Sequence, residues 1–171
     1  LAGLSASHGD IVLLGNQSLF DIVGLAGLSG PTGGILVMDN PSLVSLDGLW
    51  GLTSAGGDVR IQNNGSLSSV AGLSSLQTVG GSLWLESNPV LPAIDGFGSV
   101  SAVGGNLVLN NNPLVQHVNG LVALGSVGNF LVVENNDQLQ DLDGLAGISG
   151  FLPAGLWLDG NAQLEDLDGL A

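Results

Sequence analysis

Apolar residues recur along this chain in a frame anchored on asparagine. Asn16, Asn40, Asn64, Asn88, Asn112, Asn136 and Asn161 lie 24 residues apart, with 25 in the last step. Five and three residues before each stand aliphatics, as in Ile35/Val37, Val59/Ile61 and Leu83/Leu85. Three and six residues after it come Leu43/Leu46, Leu67/Val70 and Leu91/Ile94, and a glycine follows at the eighth position (Gly24, Gly48, Gly72, Gly96, Gly120, Gly144, Gly169). Gly-Gly pairs or close variants then restart the pattern, at Gly33-Gly34, Gly56-Gly57, Gly80-Gly81 and Gly104-Gly105. The alternation before each asparagine predicts a short strand with one buried face. The glycines are expected to supply positive-φ corners.

A ring of aliphatics that no single repeat can bury alone demands stacking on its neighbours. The asparagine column then reads as a ladder of buried amides satisfying backbone groups of their own and adjacent repeats. The expected fold is all-β: a β-solenoid of about seven 24-residue coils, with short strands and at most single helical turns near "GLxxL". The additional residue between Asn136 and Asn161 falls in "ISGFLPAG", where a bulged corner is expected. Residues 1–171 read as one repeat domain that begins and ends mid-coil, as expected of a segment excised from a longer array.

The pattern G-G-x-L-x-L-x-x-N-x-x-L-x-x-L-x-G-L-x-x-L resembles the leucine-rich repeat superfamily, and its "GG" and "GL" punctuation is most like receptor L domains. The resemblance covers the whole chain. It implies a right-handed β-solenoid and a role in binding other molecules outside the cell, without implying one ligand. The chain departs from animal receptor L domains in having no cysteine, which favours a microbial or environmental surface protein.

The residue between the two strand aliphatics should face outward. In "GGSLWLESNPVL" that residue is Trp84, and the full column is Val12, Leu36, Arg60, Trp84, Val108, Val132 and Trp157. Glu86 belongs to the column beside it. At a strand spacing of about 4.8 Å, Trp84 and Trp157 would lie three coils and roughly 14 Å apart. An apolar stripe with two tryptophans and an arginine has the composition of a contact surface. β-branched and aromatic residues also favour exposed strands for packing reasons alone, and Arg60 stacked on Trp84 would be such a local contact.

Charge narrows the partners. Fifteen acids against one arginine give a net charge of −14, with no lysine. Such a surface repels phosphate backbones and anionic membranes, so neither nucleic-acid binding nor membrane insertion is expected. Asp141, Asp143, Asp166 and Asp168 should form a two-by-two patch without a basic partner, a weak candidate for Ca²⁺ set against simple turn chemistry. His8 and His117 fall in different phases and are expected to be ordinary surface residues. No catalytic constellation, P-loop or zinc spacing occurs, so no enzyme and no cofactor are expected. The sequons Asn16-Gln-Ser and Asn64-Gly-Ser fall on ladder positions and are expected to stay unmodified.

The function expected is a non-catalytic recognition or adhesion module, extracellular or at the cell surface. It would bind a protein or glycan through the Trp-bearing face. The alternative is a structural block whose copies assemble end to end into an extracellular fibre. Ice binding is a minor third, since the three threonines form no row.

Overall fold

The computed structural model describes residues 4–171. Twelve short strands alternate along the chain between two sheets: β1 (Ile11–Leu14), β2 (Ser29–Thr32), β3 (Ile35–Met38), β4 (Gly51–Ala55), β5 (Val59–Gln62), β6 (Thr78–Val79), β7 (Leu83–Glu86), β8 (Ala102–Val103), β9 (Leu107–Asn110), β10 (Ser126–Val127), β11 (Phe130–Glu134) and β12 (Gly155–Asp159). Seven of them make one parallel sheet in the order β1-β3-β5-β7-β9-β11-β12. The other five make a second parallel sheet in the order β10-β8-β6-β4-β2. Turns of 3₁₀ helix over three residues each recur between the strands, as at Ala71–Leu73, Asp95–Phe97 and Asn119–Leu121.

This topology corrects the expected all-β, right-handed β-solenoid. The strands form two parallel sheets, of seven and five strands, with short helical turns between them, an α/β-type arrangement rather than a closed solenoid among the described residues. The sequence template assigns one short strand to each repeat, before the asparagine, and no strand between the "GL" glycine and the next Gly-Gly pair. The single helical turns expected near "GLxxL" are present there, and the stretch also carries a second line of strands that the template does not contain; parallel neighbours can be joined only by a crossover connection.

Register explains how one core serves both sheets. Val59 pairs with Leu83 and Ile61 with Leu85, so each aliphatic stands beside its equivalent one repeat on. Leu43, Leu46, Leu49 and Leu52 are fully buried, as are Leu67, Val70, Leu73 and Leu76 one repeat later. Strand, turn and second strand therefore all contribute side chains to a single cluster. The first strand pair of the smaller sheet slips in register between Gly30 and Pro31. That sheet ends at β10: in the next repeat residues 148–154 of "ISGFLPAG" form no strand, Gly150 and Gly155 have positive φ, Gly155 opens β12, and Phe151 is 82 % exposed. The irregularity expected there takes this form.

The glycines of the "GL" column serve a different purpose from the one expected. Only Gly48 among them has a positive φ. A Cβ at Gly72 would overlap the carbonyl oxygen of Leu46, and Gly96, Gly120, Gly144 and Gly169 face the equivalent carbonyl one repeat earlier. Close approach of backbone to backbone, not left-handed conformation, requires glycine here. Left-handed backbone sits instead just before the asparagines, at Gly15, Asp39, Asn63, Ser87, Asn111, Asn135 and Gly160. Asparagine, aspartate and glycine tolerate that conformation best.

Candidate functional site

The outer face of the seven-stranded sheet rests on two hydrogen-bonded ladders. In the first, each asparagine side-chain oxygen accepts the backbone N–H of the preceding asparagine, from Asn16 to Asn40 (3.0 Å) through Asn136 to Asn161 (3.1 Å). Each Nδ2 also donates to the carbonyl three residues before the preceding asparagine, as Asn64 does to Val37 and Asn112 to Leu85. Asn40, Asn64, Asn88, Asn112 and Asn136 are buried. Asn161 is half-buried and Asn16 is exposed. Asn64 is therefore inaccessible as a sequon, whereas the argument from burial fails for Asn16.

The second ladder gave no sequence signal. Asp10 accepts the N–H of Gly34, Asp58 that of Ser82, Ser82 that of Asn106, and Asn106 that of Phe130. The residue type varies while the geometry is constant, so a search for one repeated letter passes over it. Any short side-chain oxygen satisfies the same orphan donor.

Between these ladders lies the outward column. Arg60 is opposite Trp84 in register, with its guanidinium 5.0 Å from the ring centroid. Asp58 holds that guanidinium through Nε (3.1 Å) and Nη2 (2.9 Å). The carboxyl of Asp58 is held below the usual aspartate range, chiefly by the backbone N–H of Ser82; burial acts in the opposite sense, and Arg60 adds to the lowering. Trp84 is half-buried, and its indole N–H is enclosed without a partner among the described residues. Val108, flanked in register by Trp84 and Val132, is only 5 % exposed although it lies on the outward column.

The column is thus not one continuous contact stripe. Its middle is packed on itself, and its open residues lie toward the two ends. Val12 and its neighbour Leu14 are exposed at one end, and Trp157 (58 %) and Phe130 (41 %) at the other, with Leu36, Arg60, Glu86 and Val132 half-buried. Glu86 is engaged, since its carboxylate accepts from the Gln62 amide at 2.6 Å.

The acidic side has a local explanation as well. Asp21, Asp141 and Asp166 each accept the backbone N–H two residues on, and Ser45 and Ser69 do the same in their repeats. Each is a local side-chain turn that satisfies a backbone N–H at the start of the turn that follows. The second oxygen of Asp141 meets Nδ1 of His117 at 2.6 Å, so the patch does have a basic neighbour, one repeat earlier in the same column. Asp141, Asp143, Asp166 and Asp168 do not assemble with one another into a cation site; no group of three or more His, Cys, Asp or Glu among the described residues could hold a metal ion. His8 is exposed.

Among the described residues no helix is long and apolar enough to cross a membrane. No family model matches the chain, and neither a curated protein nor a solved structure matches it.

Proposed function

We propose that this chain is a non-catalytic recognition or adhesion module, working outside the cell, that holds a protein or glycan partner against the outer face of its seven-stranded sheet. The observation that carries the reading is Trp157. It is one of two tryptophans on the outward column and stays 58 % exposed on a strand fixed by five paired residues of β11. An exposed tryptophan on rigid backbone binds with little loss of conformational entropy, which suits an anchor. Trp84 supports the same face from within, its ring held under Arg60. The repeat pattern and its resemblance to leucine-rich repeats support a surface role, and the net charge of −14 favours partners without phosphate.

The test is to probe an array of glycans and extracellular proteins with the labelled chain beside Trp157→Ala. A partner whose affinity drops about tenfold or more in the variant supports the reading. Partners bound equally by both proteins would remove this face from the account. Concentration-dependent growth of both in sedimentation velocity would favour end-to-end assembly instead.

A further inference from the structure

We propose that a cleft on the helical-turn side of the molecule, away from the tryptophan face, is a binding subsite for a neutral hexopyranose. The cleft has a volume of about 560 Å³ and lies between the turns Asp95–Phe97 and Asn119–Leu121. That volume is within the range of small-molecule sites. It exists because one repeat departs from the others at two positions. Where Asp21, Ser45, Ser69, His117, Asp141 and Asp166 place a polar side chain, this repeat has Ala93. Where other repeats have Ala26, Trp50, Ser74, Val122 and Ala146, it has Gly98.

Gly98 is the informative residue. Its φ of −62° suits any amino acid, and an added Cβ would meet nothing within 4 Å. Apart from Gly9 and Gly24 in the first repeat, every other glycine among the described residues either faces a neighbouring atom or has a positive φ. The fold gives no reason for glycine at a position where alanine favours a helical turn. What the missing side chain provides is space, and Gly98 lines the cleft.

The lining fits a sugar better than an ion. Pro92, Ala93 and Ile94 supply an apolar floor. Asp95, Gln116, His117 and Asn119 complete the lining with residues that carry a carboxylate, two amides and an imidazole. The Asp141 carboxylate can only accept, so His117 Nδ1 carries the hydrogen of their bond and Nε2 is left for a ligand. Donors and acceptors interleaved over an apolar patch match a pyranose, whose hydroxyls both donate and accept and whose C–H face is apolar. Anions are disfavoured by the net charge of −14, and a cation would meet a single carboxylate, Asp95.

The test is an NMR titration of the whole chain with the methyl glycosides of glucose, galactose, mannose and N-acetylglucosamine. The expected result is that at least one shifts the Asn119 and Gln116 amide signals saturably at millimolar concentration. Gly98→Val, which installs the side chain the next repeat carries at Val122, should abolish those shifts without lowering Tm. Asn119→Ala, which leaves the backbone unaltered, should weaken them severalfold. Absence of shifts with every glycoside overturns the proposal, as do shifts that persist unchanged in Gly98→Val. Shifts confined to the Trp84 and Trp157 indole signals overturn it too, and would place the sugar on the sheet face.

Discussion

The side-chain oxygen of Asn88 accepts the backbone N–H of Asn64 at 3.3 Å, while its Nδ2 reaches the carbonyl of Ile61 at 2.9 Å. One buried amide thereby ties two repeats through groups that water cannot reach. It also passes the bond on, since its own N–H is taken by Asn112. Each buried asparagine is thus both partner and link, and removing its side chain orphans a backbone N–H and a carbonyl of the preceding repeat, as at Asn64 and Ile61.

Asn88→Ala should therefore cost roughly 3 kcal/mol or more, because at least one buried donor and one acceptor lose partners at about 1–3 kcal/mol each. Asn16→Ala should cost under about 0.5 kcal/mol, as expected at an exposed site. Urea denaturation of both variants decides the matter. Equal losses would mean that the ladder is packing rather than hydrogen bonding.

The two kinds of glycine separate just as sharply. Gly72→Ala would drive a Cβ into the Leu46 carbonyl and must push two repeats apart, so a loss of at least about 3 kcal/mol is expected. Gly98→Ala meets open space at helical φ and should be neutral or stabilising by up to about 1 kcal/mol. Thermal melts of the pair give the comparison, and a Gly98→Ala protein as damaged as Gly72→Ala would show that Gly98 is structural.

The sequence made the larger sheet legible because its strands repeat both letter and period. Ile35, Val59, Leu83 and Leu107 stand in one line, as the alternation implied. The smaller sheet was hidden by its own composition. Strands such as Thr78–Val79 and Ala102–Val103 are two residues long, too short for an alternation to show. The outward position of Trp84 and its stacking with Arg60 are legible from the column and its register, whereas the burial of Val108 beside it depends on side-chain size, which a two-letter pattern does not carry. The cleft at Gly98 was missed for the opposite reason. It is a departure from the repeat, and attention to the consensus passes over departures.

The Asp58 carboxylate gives the fold an acid-sensitive element. Its folded pKa lies below its ordinary value of about 3.9. Its contribution is therefore fully present above that value and is lost as pH falls through the lower folded one. The side chain of Asp58 is about one-third exposed, as is that of Arg60, so solvent screening keeps the effect small. Asp58→Asn retains an acceptor for the Ser82 N–H but removes the charge. The variant should be less stable than the parent at neutral pH, and the difference should shrink as the parent's carboxylate is protonated. Urea midpoints across the acid range check this; a constant difference would assign the effect to geometry alone.

Trp84 and Trp157 occupy the same column but should answer to different measurements. The Trp84 ring shields Val108 and carries Arg60, while its enclosed N–H has no partner, a defect costing about 1–3 kcal/mol. Trp84→Phe keeps an aromatic ring and removes the orphan donor, so stability should hold or rise by up to about 1 kcal/mol. Trp84→Ala should lose stability through the uncovered Val108 and the broken cation–π contact, itself worth about 0.5–1 kcal/mol. Trp157→Ala, at an exposed site on β12, should leave the melting curve within about 0.5 kcal/mol of the parent while reducing partner binding. The separation matters because one column contains both a residue kept by the sheet for itself and a residue left open to something else. If Trp157→Ala destabilised the protein as much as Trp84→Ala, the exposed tryptophan too would belong to the scaffold, and the recognition face would lose its anchor.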